Sequence, residues 1–381
     1  MINKDVLPIL DKLISFQSVT PKGEDALQYI AELLSKLGFE CHLKNFGSGA
    51  KETSNLYAVL GDCAPNICFA GHVDVVPPMS LDLWNSDPFK MTVKDDIIYG
   101  RGTVDMKGAL ACGLAATLEF FKQHKPTGSI SFLLTSDEEG DATYGTKMML
   151  EHIKNYTPKI DLCLLGEPTT KKTIGDTIKI GRRGSVNFAL TVSGKQGHVA
   201  YPEKAINPIP IMTNILKDLS EKEFDSGSEF FQKSNLEITS VDTGNQVTNV
   251  IVQSLSAKFN IRFNEKHTAA SLNSEIEQIV KKHCDNYDLQ YSSSSAPFIQ
   301  KYSERMKKFT QIVQDNCGVI PDVETGGGTS DARFIHPFAE VVEFGLNCDP
   351  AHKINEHTKI SDLQILYNVY YDSLVEFLTQ R

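Results

Sequence analysis

The sequence predicts an α/β protein in which a mostly parallel sheet with flanking helices is interrupted by a smaller α+β domain with an antiparallel sheet. Three observations carry that expectation. Up to about residue 183, short and nearly continuous apolar runs alternate with helical segments, as in buried parallel strands covered by helices. From about 184 to 294 the pattern changes to period-two alternation, the mark of strands with one buried face. After the serine run at 292–295 the first texture returns. The expected division is 1–183 and 295–381 for the main domain, with 184–294 inserted in it.

The elements follow in order. Val6, Ile9, Leu10, Leu13 and Ile14 share one face of a first helix; Leu27, Ile30, Leu34 and Leu37 share one face of a second, which Gly38 is placed to stop. The runs 67–76, 130–135 and 162–165 read as buried strands, and 110–121 and 146–154 as helices between them. In the insert, Val186, Phe188, Leu190 and Val192 alternate with residues of the opposite face. Leu236 and Ile238 do the same, as do Phe259, Ile261 and Phe263. Helices fit 208–219 and 271–283, and a last amphipathic helix fits 362–378. No internal repeat is visible.

Composition narrows the function. A chain of 381 residues has a prior of roughly two to three domains and buries a core without staples. Thirty-eight Lys and Arg against 48 Asp and Glu leave a net charge of −10, which disfavours nucleic acid and anionic membranes as partners. The first twenty residues mix Lys4, Asp5, Asp11 and Lys12 with apolar positions, so no signal peptide is expected, and no eighteen-residue apolar stretch suggests a membrane span. The eight cysteines are scattered without a C-x-x-C motif, as expected for free thiols in a reducing cytoplasm.

Polar residues with metal-binding chemistry collect at the ends of the apolar runs, where open α/β sheets build their sites. His72 and Asp74 fall on one face of a strand; a metal-bound imidazole commonly gives its second N–H to a carboxylate, but a plain His–Asp pair at a strand end explains them equally well. Asp105 stands just before a helix and, taken alone, reads as its N-cap. Asp137, Glu138, Glu139 and Asp141 crowd a strand exit, an odd place for carboxylates unless cations neutralise them. Glu167 stands at another strand exit, and His352 lies in a loop before the last helix, with His336 and His357 as competing histidines. Imidazole and carboxylate without thiolate suit Zn²⁺, Co²⁺ or Mn²⁺, and five such ligands suffice for two ions if one carboxylate bridges. Gly326, Gly327 and Gly328 precede no Gly-Lys-Ser/Thr, so they form no nucleotide loop; backbone donors for a carboxylate, or a flexible turn, are the readings left. The single tryptophan, Trp84, reads as a packed loop anchor.

The set His72-x-Asp74, Asp105-x-Lys107-Gly108, Glu138-Glu139, Glu167-Pro168 and a late His352 resembles the M20 family of co-catalytic metallopeptidases and deacylases, nearly end to end and including the insert. The strings 180–185, 197–202 and 327–334 resemble a branch of the family distinct from the acetylornithine deacetylases. The resemblance implies an enzyme that hydrolyses an N-acyl amide of a small acidic substrate with two divalent ions, Zn²⁺ with Co²⁺ able to substitute. Asp105 would bridge the ions, His72 and Glu167 would complete one site, and Glu139 and His352 the other. Asp74 would orient His72, and Glu138 would be the general base. The insert would serve as a dimerisation and lid domain, with His198 of each chain of a homodimer reaching its partner's site. Arg182, Tyr201, Asn249, Arg262, Gly328, Thr329 and Ser330 match positions associated with substrate. Tyr144, the pair Thr103-Val104 and Val252-Gln253 depart from the family's usual residues, touching neither ligand nor base. A dipeptidase, another N-acyl amino-acid deacylase and a silent binding protein on the same fold are the alternatives.

Overall fold

A computed structural model describes residues 2–379, which divide into two compact units. One runs to Ile180 and resumes at Gln300–Glu324 and from Ser330; the other is Gly181–Ile299 with Thr325–Thr329.

The first unit is built on an eight-stranded sheet in the order Glu40–Phe46, Thr53–Leu60, Ser129–Thr135, Asn66–His72, Leu162–Leu165, Glu340–Glu343, Thr177–Lys179, Asp322–Glu324. Its centre is parallel, from Ser129–Thr135 through Asn66–His72 and Leu162–Leu165 to Glu340–Glu343, while the outer Glu40–Phe46 and Thr53–Leu60 pair antiparallel. Every residue of the central strands Asn66–His72, Ser129–Thr135 and Leu162–Leu165 is buried, which is why they read as continuous apolar runs. Helix Lys107–Gln123, buried along most of its length, packs against Val6–Ser15 and the long helix Ile360–Leu378. Leu110, Leu114, Phe120, Leu366 and Leu374 belong to the core that joins them to the sheet.

The second unit carries a four-stranded antiparallel sheet in the order Asn235–Asp242, Ser254–Phe263, Gly184–Ser193, Tyr287–Ser295. Alternate residues of Gly184–Ser193 and Ser254–Phe263 are buried against helices Pro208–Ser220 and Ala269–Lys281. Asn207 caps the first helix through its side chain, and Thr268 with Ser271 forms a capping box on the second. A short antiparallel pair, Gly181–Arg182 with Phe298–Ile299, draws the connecting segments into this unit beyond 184 and 294.

Several boundaries differ from the sequence reading, each for a local reason. The strand expected over 67–76 ends at His72, where its neighbour also ends at Thr135; Val75 then takes new partners, bonding to the Ser18 carbonyl and the Thr20 N–H. The helix expected from 110 starts at Lys107, and Met106 rather than Asp105 holds its cap position without a side-chain bond, so Asp105 is no N-cap. None of the eight cysteines is paired; Cys68, Cys112 and Cys163 are buried, while Cys63 and Cys348 are exposed. Trp84 is buried, donates its indole N–H to the Pro78 carbonyl at 2.9 Å and lies under the Arg101 guanidinium. Among the described residues no helix is long and apolar enough to cross a membrane.

Candidate metal centre

The parallel strands of the first unit end together, and their exits supply the site. His72 is the last residue of its strand, Glu138 and Glu139 follow strand Ser129–Thr135, and Glu167 follows Leu162–Leu165. Glycines beside two of these exits let a helix approach. A Cβ on Gly71 would run into the Met106 side chain, and one on Gly166 into Ala109 and Met106. The start of helix Lys107–Gln123 is thereby pressed onto the strand ends, with Asp105 just ahead of it.

Asp105 divides its two carboxylate oxygens between two imidazoles. Oδ1 lies 3.2 Å from His72 Nε2, and Oδ2 lies 3.2 Å from His352 Nε2. Glu167 Oε1 is 3.8 Å from the same His72 nitrogen, and Glu139 Oε1 is 2.9 Å from the His352 nitrogen. The potential ligand atoms form two triads, His72–Asp105–Glu167 and Asp105–Glu139–His352, with Asp105 common to both. His72 and Glu167 are buried and Asp105 is 9% exposed, whereas the His352 side chain is 51% exposed. His336 and His357 belong to neither triad; His357 turns Nδ1 to the Asn355 carbonyl at 2.9 Å.

The ring of His72 is held by its other nitrogen. Nδ1 donates to the main-chain carbonyl of Asp74 at 2.8 Å, which leaves Nε2 to face the cluster. The Asp74 carboxylate stands farther off, at 3.6 Å, and accepts instead from the main-chain N–H groups of Glu138 and Glu139 at 3.4 and 3.2 Å. Asp74 thus orients the histidine with its backbone and holds the two glutamates with its side chain. Asp137 stiffens the same loop by accepting from the N–H groups of Thr143 and Tyr144 at 2.9 and 3.1 Å.

So many carboxylates in a buried place need positive charge. Burial, with Glu167, Asp331 and Glu139 nearby, pushes the Glu138 carboxyl well above its ordinary range, although His72 pulls it down. Burial raises Asp74 to about 6 against the opposing charge of His72. Burial also works against ionised Asp105, but the hydrogen bonds from His352 and His72 outweigh it and hold this carboxyl below the usual carboxylate range. Burial disfavours a charged His72 as well, and here the hydrogen bond to Asp105 and the charges of Asp74, Asp105 and Glu167 prevail, so its pKa lies well above 6.5. His352, bonded to Asp105 and Glu139, is raised to about 10. Two protons on imidazoles therefore stand where divalent cations would neutralise the same carboxylates. The fit is good: two mixed imidazole–carboxylate triads, one carboxylate with an oxygen for each, and no thiolate.

The remaining candidate residues lie in the second unit, apart from Ser330. Arg182 is buried and donates to the Gly328 and Gly326 carbonyls at 3.2 and 3.4 Å, so the glycine loop is held by its carbonyls. His198 is exposed in a two-residue strand paired with Val250–Ile251; its Nδ1 accepts the Ala200 N–H at 3.0 Å, which puts the proton on the outward Nε2. Tyr201 is exposed beside the His198 ring, and Asn249 is exposed with its carbonyl on the Val199 N–H. Arg262 stands opposite Ser185 and Asn235 in the sheet. Gly328 is exposed and Thr329 half-buried. Ser330 has no accessible surface and donates its hydroxyl to Glu343 at 2.9 Å.

Residues 68–376 match the family described as Peptidase family M20/M25/M40. The chain belongs to that family. It is 53% identical over 375 residues to the succinyl-diaminopimelate desuccinylase of Rickettsia bellii (strain OSU 85-389), a match covering 97% of this chain and 96% of that protein. To the protein of the same name from Rickettsia rickettsii (strain Sheila Smith) it is 54% identical over 376 residues, covering 97% and 99%. The fold is that of solved M20 proteins. The metallo-carboxypeptidase Sso-CP2 of Sulfolobus solfataricus superposes with a TM-score of 0.82 at 18% identity, covering 97% of this chain and 98% of that one. The dipeptidase Dug1p of Saccharomyces cerevisiae gives 0.78 at 17% identity, covering 97% and 96%. An M20 hydrolase with a mostly parallel main sheet is thus what the sequence resemblance implied.

Sequence reading gave no role to Arg101 or Glu356, which pair at 2.8 Å beside the Asp105 loop, each 2% exposed or less. The one signal available is an arginine between two glycines, Gly100 and Gly102, and nothing local ties it to an acid more than 250 positions away.

Proposed function

We propose that this M20 protein is a cytoplasmic, zinc-dependent amide hydrolase that releases succinate from N-succinyl-LL-2,6-diaminopimelate, leaving LL-2,6-diaminopimelate. The observation that carries the metal chemistry is the split of the Asp105 oxygens between two imidazoles, each completed by its own glutamate. The substrate rests on relatives of that name at 53–54% identity over nearly the whole chain.

His72, Asp105 and Glu167 would hold one ion and Asp105, Glu139 and His352 the other; Zn²⁺ is the expected metal, with Co²⁺ able to replace it. Such a pair supplies Lewis-acid charge at the scissile carbonyl and acidifies water beside it. Glu138 takes the proton of the attacking water and delivers it to the leaving amine; a carboxyl pushed upward by its surroundings is suited to both transfers. Glu139, one residue on, faces His352 instead, so adjacent glutamates do different work. His198, with its proton on an outward nitrogen, is suited to donate to the carbonyl oxygen as that oxygen becomes negative. Arg182, Arg262, Tyr201, Asn249, Gly328 and Thr329, with Ser330 next in sequence, would take the substrate's carboxylates and amide. The arginine fork is the natural partner of a carboxylate.

The test of substrate is a set of N-acyl amino acids offered to zinc-loaded protein, read by release of free amine. N-succinyl-diaminopimelate is expected to exceed N-acetyl amino acids and dipeptides in kcat/KM; a dipeptide or an N-acetyl amino acid as the best substrate replaces this reading with another M20 activity.

The protein is also proposed to act as a homodimer through the inserted unit. Supporting this, strand Asn235–Asp242 is an unpaired sheet edge with Ile238 and Val241 exposed, available to a second copy. If His198 serves the partner's site, His198→Ala and Glu138→Ala chains are each inactive but complement when mixed. Random reassortment leaves about one site in four competent. Subunit exchange demonstrated by mass spectrometry without any return of activity places His198 in its own chain's site or outside catalysis.

A further inference from the structure

We propose that Glu356 is a positioning residue that fixes the bridging carboxylate Asp105 and ties it to the segment carrying His352. The proposal rests on the dinuclear reading above. Asp105 lies within a stretch of turns between strand Ile97–Tyr99 and helix Lys107–Gln123, so no regular element holds its backbone. One carboxylate does so instead. Glu356 Oε1 accepts the N–H groups of Val104 and Asp105 at 2.9 and 3.2 Å, and Oε2 accepts the Gly102 N–H at 3.0 Å and Arg101 Nη1 at 2.8 Å. The Glu356 carbonyl also takes the Gly100 N–H at 3.0 Å.

The same short segment carries His352, whose Nε2 meets the far oxygen of Asp105. His352 and Asn355 both have left-handed backbone, at φ +61° and +58°. That conformation is uncommon away from glycine, and asparagine and histidine are among the side chains that adopt it most readily. The Asn355 side chain accepts the Asn85 N–H at 2.8 Å, and strand His357–Lys359 pairs with Ile97–Tyr99. Glu356 lies between these two anchors, so the separation between Asp105 and His352 is set by its four hydrogen bonds. A bridging ligand tolerates little error, because each oxygen must meet a different ion.

Glu356→Gln keeps the shape but turns an NH₂ group towards N–H donors in either amide orientation, so at least one main-chain bond at the Asp105 loop is lost. The more weakly held ion is expected to bind about 10–100-fold less tightly, as when other supporting partners of metal ligands are removed. kcat is expected to fall at least about tenfold with KM within about threefold, and excess metal to restore part of it. The visible spectrum of the cobalt-loaded protein is expected to change, which a merely structural role would not cause. A folded variant with both ions at wild-type affinity, the wild-type cobalt spectrum and unchanged kcat overturns the proposal. Should Glu356→Gln not fold by circular dichroism, Glu356→Asp carries the test. It keeps the charge opposite Arg101 and withdraws the oxygens; loss of metal affinity supports the proposal and wild-type affinity overturns it. Wild-type protein that binds two ions but ignores N-succinyl substrates sinks the substrate assignment alone. Wild-type protein that binds none sinks the dinuclear reading on its own account.

Discussion

Glu138→Gln protein is expected to bind both metal ions as the parent does and to turn over between about 100- and 10,000-fold more slowly, the range of a lost general base. The separation of the two effects is what makes the test decisive. Glu138 belongs to neither triad, so its amide removes no ligand. Its backbone N–H, held by Asp74 at 3.4 Å, is untouched by the change of side chain. The carboxyl it loses is the one that burial and the neighbouring carboxylates push upward, and cations beside it would bring it back towards a base that works near neutral pH. KM is expected to change little, since a group acting on the proton of water has no part in holding the substrate. Metal content measured by atomic absorption beside kcat checks both halves. Near-normal kcat would remove Glu138 as the base; lost metal would make it a ligand.

The part of the site legible in the sequence is the part delivered by sheet strands. His72, Glu138, Glu139 and Glu167 follow apolar runs that could be read directly, and in an open α/β sheet the exits of such strands converge. Asp105 was harder. Its neighbours read as a helix start, and local rules offered an N-cap, because the residue that holds its loop, Glu356, is 251 positions away. His352 was not legible from pattern at all. It sits exposed in a left-handed turn among residues of no periodicity, with His357 five positions on as an equal claimant; only the family resemblance singled it out. The fold behaves the same way. Period-two and continuous apolar runs separated the antiparallel and parallel sheets because burial on one face or two is written in composition. The end of the strand at His72 is not legible because it falls where the neighbouring strand ends at Thr135 and Val75 passes to Ser18 and Thr20, partners close in space and far in sequence. Likewise Asp74 was legible as a partner of His72, but the division of labour between its carbonyl and its carboxylate is a matter of ångströms that spacing does not encode.

Exhaustive chelation is expected to abolish turnover, with Zn²⁺ or Co²⁺ restoring it, and the return of metal is expected to expel protons. A ligating imidazole is neutral, whereas in the metal-free chain His72 is raised well above 6.5 and His352 to about 10 by their carboxylate neighbours. Between these limits each ion displaces the proton on its histidine, so apparent affinity rises with pH, by up to about tenfold per unit for each proton released, and levels off for the His352 site near pH 10. The metal-free protein has the opposite trend. A histidine whose folded pKa is raised stabilises the fold fully below its unfolded value of 6.5, and that contribution is lost as pH climbs through the folded value, about 10 for His352. Raising pH from 6.5 towards 10 should therefore weaken the metal-free fold at this site while tightening the hold on metal. Calorimetric titration of the stripped protein in two buffers of different ionisation enthalpy counts the protons directly, and melting curves of stripped and loaded protein across the same range give the two slopes. Turnover that survives complete removal of metal ends the metallohydrolase reading. Metal uptake with no proton release would mean that the carboxylates of the two triads are neutralised by something other than His72 and His352.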